Sequence, residues 1–201
     1  MDNSSFYVFD NFYEDPYAIR DMALNQMAWH PTKVCSSYPN GNAPWGGKMT
    51  KETYTDNNRI TALVSKKMQK VLVPMGKSDH GALRLTKESD SENHKIHADS
   101  FAEGYAGILY LTPNIKNIEG TNFYKNTRYN DQSLANADQI KEIIEFGTDD
   151  PAQWERSLTS YFVWNRLIVY SSSLYHAAGP GFGTTDEDGR LVQIFYWEEV
   201  I

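Results

Sequence analysis

Two residues near the middle of the chain, His97 and Asp99, have side chains that bind metals in other proteins, and only Ala98 separates them. Residues two apart on a β-strand point to the same face, so both side chains could reach one ion. A mononuclear iron(II) site of the facial-triad type needs two imidazoles and one carboxylate, with the other side of the metal open. A His-x-Asp pair also arises by chance in a chain with 5 histidines, so other residues must support it.

A second imidazole must come from elsewhere in the fold, and His176 is the best candidate. It follows the strongly apolar, strand-like segment RLIVYSS and lies 79 residues after His97, a separation that suits strands meeting across a sandwich. The rival ligands are His80 and His94. Since His94 lies three residues before His97, on the opposite face of a strand, we interpret it as a loop or rim residue. His30 falls in a loop region and could line a substrate mouth.

An arginine, Arg190, opens the otherwise apolar segment RLVQIFYWEE. A guanidinium in such a strand is costly to bury unless it meets an anion, and it can hold a carboxylate by two parallel hydrogen bonds. Tyr110, in GILYLTP, could donate a phenolic hydrogen bond to the same carboxylate. The pattern thus predicts a metal triad followed by an anion-binding residue at the start of the next strand.

These residues together resemble the iron(II)/2-oxoglutarate-dependent oxygenases, and most closely the prolyl-4-hydroxylase-like branch with its small phage and bacterial members. The resemblance covers about residues 81 to 198, from His97-x-Asp99 through ILYLTP and GTNFY to His176 and GRLVQIFYW. Its specificity lies in the order and spacing of these segments. It departs from the branch in the long spacing between His176 and Arg190, which lies 14 residues further along the chain after the loop GPGFGTTDEDG, and in Glu119-Gly120, where the branch often has Gly-Gly.

The resemblance implies both a site and a reaction. His97, Asp99 and His176 match the iron(II) ligands, Arg190 matches the residue that pairs with the distal carboxylate of 2-oxoglutarate, and Tyr110 matches the tyrosine of the family's YL strand. The implied reaction consumes O2 and 2-oxoglutarate, hydroxylates a C–H bond of an unidentified peptidyl, prolyl or small-molecule substrate, and releases succinate and CO2, with ascorbate as a reductant. Chlorinating relatives lack the carboxylate ligand, so Asp99 argues against halogenation. A non-catalytic jelly-roll module that binds a metal or ligand remains the alternative.

The first 80 residues are predicted to support this core. The segment SSFYVFDNF indicates a strand, and EDPYAIRDMALNQM a helix with Asp15 as N-cap and Pro16 at its first position. Residues 30–50 are rich in Gly, Pro, Asn and Ser and predict a long loop. The segment NNRITALVSKKMQKVLV predicts a second helix, whose apolar face extends to Val71 and Leu72.

From Gly81 onward, strand-like runs predominate. They are GALRLTKES, EGYAGILYLTP, GTNFYKN, YFVWNRLIVYSS and RLVQIFYWEEV. Two segments between them, ANADQIKEIIEFG and DPAQWERSL, indicate helical insertions, and we expect residues 125–160 to shape the substrate mouth together with the loop at 30–50. The layout lacks βαβ alternation. We therefore predict a mainly β protein with flanking helices, a cupin-like double-stranded β-helix (jelly-roll) core with N-terminal helices packed on it.

The composition sets the remaining expectations. The 201 residues fit a single domain, and the formal net charge of −7 argues against nucleic acid as a partner. Cys35 is the only cysteine, so no disulfide forms within the chain, and no signal peptide or membrane span is evident. We expect a cytoplasmic protein that is a monomer or a homodimer. No phosphate-binding loop, Ser-His-Asp arrangement or paired-cysteine site competes with the triad.

Overall fold

The structure is a computed structural model that describes residues 6–35, 46–51, 55–90, 95–99, 104–131, 133, 139 and 150–200. Three α-helices lie in the described N-terminal part: α1 (Pro16–Gln26), α2 (Thr32–Cys35) and α3 (Asn57–Met68). The strands of this half are β1 (Phe6–Phe9), β2 (Trp29–Pro31), β3 (Lys48–Thr50) and β4 (Leu72–Pro74). The remaining strands are β5 (Leu83–Thr86), β6 (Tyr105–Tyr110), β7 (Glu119–Asn126), β8 (Trp154–Tyr161), β9 (Leu167–Ser171), β10 (His176–Ala178) and β11 (Arg190–Glu199).

The described strands form two antiparallel sheets. The major sheet has the order β1-β9-β6-β11-β5-β3-β2, with β4 pairing to the far end of β11, and the minor sheet has the order β10-β7-β8. Phe123 of the minor sheet packs edge-on against Phe6 and Tyr170 of the major sheet, so the two sheets face each other. This is the predicted jelly-roll architecture, which is confirmed.

Strand β11 separates two apolar cores, which explains why its segment from Leu191 to Trp197 is apolar on both faces, with Gln193 as the exception. On one side Leu191, Phe195 and Trp197 join the core that holds the helix residues Ile60 and Val64. On the other side, Val192 and Ile194 face the minor sheet. Their β6 partners on this side, defined here as the inner face, are Tyr110 and Ile108. Arg190 belongs to the inner face because it lies two residues before Val192.

Helix α1 begins as predicted. Pro16 occupies its first turn, and the Asp15 carboxylate accepts a hydrogen bond of 3.0 Å from the backbone N–H of Ala18. The periodicity did not indicate that Arg20 is buried in this helix. Its guanidinium donates to the backbone carbonyl oxygens of Leu111 and Glu187, so it joins the helix to the turns that follow β6 and precede β11.

The second helix is shorter than its apolar pattern predicts. Helix α3 ends at Met68 because Gln69 adopts a left-handed conformation, with φ of 57°, and its N–H bonds back to Lys66. Val71 and Leu72 therefore do not lie on the helix face. Leu72 begins β4 and is buried beside Glu199 of β11, so pairing at the sheet edge replaced the last helical turn.

Two further predictions are wrong in part. DPAQWERSL was predicted to be helical, but only Pro151–Gln153 forms a 3-10 turn, and Trp154 begins β8, which pairs with β7 over its whole length. The 30–50 segment is not all loop, since β2, α2 and β3 occupy its two ends, while 36–45 lies outside the described residues. The insertion ANADQIKEIIEFG also lies outside them, apart from Gln139.

The region before residue 80 does more than support the core, because its strands β1 to β4 extend the major sheet on both sides. In the described part of the chain, none of the helices combines the length and apolar character that a membrane span needs.

Candidate metal centre

His97 and His176 are brought together by direct backbone pairing. The N–H of His97 donates to the carbonyl of His176 over 2.9 Å, and the N–H of His176 donates back over 2.8 Å, an antiparallel bridge at the edge of β10. The two imidazole rings lie with centroids 4.5 Å apart, inclined at 47°. Residues 79 apart in sequence thus become nearest neighbours at the edge of the minor sheet.

Asp99 continues the same backbone pairing and adds a carboxylate. Its N–H donates to the carbonyl of Ser172 over 2.9 Å, and Lys77 donates to its backbone oxygen over 3.1 Å. The Asp99 carboxylate oxygens lie 3.8 Å from Nε2 of His97 and 3.5 Å from Nε2 of His176. One ligand atom from each residue lies within 4.8 Å of the other two, so a single ion can reach all three.

The outer ring nitrogens of both histidines are held by backbone carbonyls. Nδ1 of His97 lies 2.9 Å from the oxygen of Lys95, and Nδ1 of His176 lies 2.9 Å from the oxygen of Leu174. Because a carbonyl can only accept, the proton of each neutral ring sits on Nδ1, and the lone pair of each Nε2 points towards Asp99. Such hydrogen bonds orient histidines for metal binding.

Electrostatics keep His97 neutral. Burial, together with the neighbouring His176, lowers the pKa of His97 to about 4. A ring that is already deprotonated at neutral pH can bind a metal without first losing a proton. The side chain of His97 is still 25% exposed, against 7% for that of His176, so the site opens to solvent on the His97 side.

The lowered pKa of His97 predicts that the metal-free protein loses stability as the pH falls below about 6.5. In this range the unfolded chain protonates the ring and the folded chain does not, so added protons favour unfolding. His80 acts in the same direction, since burial lowers its pKa as well. We expect protonation of His97 in the unfolded chain to lower the free energy of unfolding at about pH 5 by about 2 kcal/mol relative to neutral pH.

Urea unfolding of the wild type and of His97→Gln, each at about pH 7.5 and about pH 5, measures this effect. Glutamine does not titrate, so the variant should lose less stability on acidification than the wild type. Equal losses in the two proteins would contradict the prediction.

Arg190 lies on the inner face as a buried charge, only 3% exposed. Its guanidinium donates to the backbone oxygen of Gly120 over 2.8 Å, while its buried Nε has no hydrogen-bond partner. Among the described residues, no carboxylate pairs with it, and its charge interacts with the phenols of Tyr110 and Tyr170 and with the guanidinium of Arg84. A buried cation with an unused donor has the chemistry to pair with an anion.

Tyr110 lies close to Arg190, and its hydroxyl already has hydrogen-bond partners. Its fully buried hydroxyl forms a hydrogen bond of 2.9 Å with Oγ1 of Thr121, and its ring packs on Phe162. A hydroxyl can accept one hydrogen bond while it donates another. The hydroxyl also donates a long hydrogen bond of 3.5 Å to Oγ of Ser160, so Tyr110 can donate to an anion beside Arg190 by exchanging that partner while Thr121 supplies the proton of their shared hydrogen bond.

Gly120 makes room for this tyrosine. A Cβ atom at position 120 would lie 2.6 Å from the Tyr110 hydroxyl and 2.9 Å from the backbone oxygen of Ser160. The glycine of the Glu119-Gly120 pair therefore admits Tyr110 and leaves its own carbonyl to Arg190.

Gly120→Ala is expected to lower the free energy of unfolding by about 1–3 kcal/mol, because the new methyl group overpacks the Tyr110 site. Chemical unfolding measures the loss. Gly76→Ala is the matched control, since a Cβ there would meet nothing within 4 Å. The prediction is wrong if the two variants unfold alike.

His80, one of the two rival ligands, does not join the triad. His80 is buried elsewhere, where its Nδ1 accepts the N–H of Tyr196 over 2.9 Å and its ring packs against Phe195 and Trp197. His30 lies on β2, paired with Met49 of β3. His94 is outside the described residues.

Two inner-face residues were missed by the sequence reasoning. Arg84 of β5 lies opposite Val192, and burial and the charge of Arg190 lower its pKa to about 10. Tyr170 of β9 lies opposite Ala106 with its ring against His176. Both could have been found in the sequence as polar side chains within apolar strands. Arg84 lies in LRL of β5, and Tyr170 lies in IVY of β9.

Comparison with known families gives one match. A family described as "Family of unknown function (DUF6445)" matches residues 1–191, which is most of the chain. A search of curated proteins found no match.

Two solved structures share the fold. The "Crystal structure of the non-heme alpha ketoglutarate dependent epimerase SnoN from nogalamycin biosynthesis" aligns with a TM-score of 0.61 and 15% sequence identity, over 98% of this chain and 79% of that chain. EvdMO1 aligns with a TM-score of 0.51 and 15% identity, over 98% of this chain and 47% of that chain. This chain therefore spans about half the length of EvdMO1.

Proposed function

The chain belongs to the family of unknown function DUF6445, and we propose that it is an iron(II)- and 2-oxoglutarate-dependent oxygenase. The observation that carries this proposal is the convergence of the His97, Asp99 and His176 ligand atoms within 4.8 Å of one another. Two neutral imidazoles and one carboxylate are the donor set of non-haem iron(II) oxygenases. The shared fold with SnoN, whose title describes a non-haem epimerase dependent on α-ketoglutarate, is consistent with it.

Arg190 supports the second part of the proposal, which is that the protein binds 2-oxoglutarate. 2-Oxoglutarate has a carboxylate at each end, so one end can meet the metal while the other meets a cation. Arg190 and Tyr110 offer the unused Nε–H and a phenol on the inner face, where Tyr170 contacts His176 of the triad. We assign the distal carboxylate to these two residues.

The protein's own part in the reaction is binding and orientation. The carbonyls of Lys95 and Leu174 hold the two imidazoles in place, and the apolar inner-face residues Ile108, Val192 and Ile194 limit the access of water. Bound iron(II), with 2-oxoglutarate and O2, supplies the oxidising chemistry. In the balanced reaction, R–H, 2-oxoglutarate and O2 give R–OH, succinate and CO2.

Succinate formation tests the proposal. The purified protein, supplied with iron(II), ascorbate and 2-oxoglutarate in air, should release succinate slowly even without a primary substrate. The absence of succinate from a protein that binds both iron(II) and 2-oxoglutarate would instead support a non-catalytic jelly-roll binding module.

We further propose that the reaction is a hydroxylation and that the protein is related to the prolyl-4-hydroxylase-like branch. Since the SnoN title describes an epimerase, product analysis must separate the two outcomes. With 18O2, a hydroxylase places the label in its product, whereas an epimerase returns a product of unchanged mass.

A further inference from the structure

Tyr170 is a phenol in the middle of the inner face that the proposed reaction has not yet used. It is fully buried in β9, opposite Phe6 on one side and Ala106 on the other. Its ring lies edge-on to His176, with centroids 4.9 Å apart, and edge-on to Phe123 at the same distance. The side chain is therefore packed directly behind one of the triad imidazoles.

The hydroxyl of Tyr170 has no hydrogen-bond partner in the described structure. Burying a hydroxyl without a partner is unfavourable, and phenylalanine would fill the same space without that cost. Tyr110, on the neighbouring strand β6, shows the usual arrangement, since its buried hydroxyl is paired with Thr121. The unpaired donor of Tyr170 thus indicates a partner that arrives with a ligand.

The position of the hydroxyl indicates which ligand. The Tyr170 ring contacts His176 of the triad, and its phenol lies within electrostatic reach of both Asp99 and Arg190, so Tyr170 is a neighbour of the metal centre and of the arginine. A molecule that joins these two groups would lie near it. 2-Oxoglutarate, with oxygen acceptors at both ends and an oxo group between them, has the chemistry to accept its hydrogen bond.

We propose that Tyr170 is a positioning residue that donates a hydrogen bond to the 2-oxo acid bound between the triad and Arg190. The inference rests on the proposed function. It adds to that function a third contact for the 2-oxo acid, besides Arg190 and Tyr110, on the strand that leads to His176.

Calorimetric titration of 2-oxoglutarate into the manganese(II)-loaded protein tests this role without turnover. A hydrogen bond from a neutral donor to a charged oxygen accounts for about ten- to a hundredfold in affinity. Tyr170→Phe should therefore weaken 2-oxoglutarate binding by about that factor, while its affinity for manganese(II) stays that of the wild type. Thermal melting of the ligand-free variant should show no loss of stability, because the missing hydroxyl made no contact there.

Tyr175→Phe is the matched control. Tyr175 also carries a buried hydroxyl without a partner, but its ring packs against Trp154 in a separate core cluster. The control removes the same atom one residue before His176, and 2-oxoglutarate affinity should not change.

The outcomes separate the two proposals. If the wild type binds 2-oxoglutarate and both variants bind it equally well, Tyr170 has no positioning role. If Tyr170→Phe also loses manganese(II) affinity, Tyr170 supports His176 rather than the 2-oxo acid, and the inference is overturned. If the manganese-loaded wild type binds no 2-oxoglutarate, the proposed function itself fails and the inference fails with it.

Discussion

Replacing Asp99 with alanine is expected to reduce iron(II) affinity by more than about a hundredfold and to abolish succinate formation. Loss of a group that merely orients a ligand costs about 10–100-fold in metal affinity, and loss of a charged ligand costs more. Asp99 supplies the only negative charge of the triad, within 3.8 Å of Nε2 of His97 and 3.5 Å of Nε2 of His176. Two neutral imidazoles alone cannot offset the charge of the ion.

Equilibrium dialysis against manganese(II) or iron(II) under nitrogen measures this loss directly. Asp21→Ala, which removes an exposed carboxylate from α1, is the control and should bind metal as the wild type does. We expect Asp99→Ala to fold, because the backbone pairing of residue 99 to Ser172 does not involve the carboxylate. Circular dichroism checks this. Wild-type metal affinity in Asp99→Ala would exclude the triad as the metal site.

The second large effect is expected at Arg190, the proposed partner of the distal carboxylate. Arg190→Leu should weaken 2-oxoglutarate binding by more than about a hundredfold, since a bidentate arginine–carboxylate pair contains two charged hydrogen bonds of about 1.5–3 kcal/mol each. The 2-oxoglutarate affinity of Arg190→Lys should lie between those of Arg190→Leu and the wild type. Lysine keeps the positive charge but cannot form two parallel hydrogen bonds with a carboxylate. Metal affinity should be unchanged in both.

The ligand-free stability of Arg190→Leu provides an independent readout. Arg190 is a buried cation without a carboxylate partner among the described residues, so its replacement by an apolar side chain removes a desolvation penalty. We expect a melting temperature at or above that of the wild type. Arg59→Leu, on the exposed surface of α3, is the control for 2-oxoglutarate affinity. Unchanged affinity in Arg190→Leu would place the 2-oxo acid elsewhere.

The sequence was most informative where periodicity and local chemistry agree. Asp15 followed by Pro16 predicts the start of α1, and the apolar segments that begin at Arg190 and at Leu167 predict β11 and β9. It was least informative where the secondary structure of a segment depends on the strand with which it pairs. Leu72 and Trp154 fit an apolar helix face as well as a strand, and only pairing with β11 and β7 makes them strands.

By itself, the sequence determined which side chains could form the centre and the order in which the chain delivers them. His97, Asp99, His176 and Arg190 follow from residue type, spacing and strand context, because these are local properties of the chain. The tertiary structure alone decided that His97 pairs with His176, that the carbonyls of Lys95 and Leu174 hold their rings, and that His80 is directed elsewhere. It also decided that Tyr170 packs against His176 with a buried hydroxyl that has no hydrogen-bond partner in the described structure. The physical reason is that hydrogen-bond partners and burial depend on contacts between distant segments, which no local pattern records.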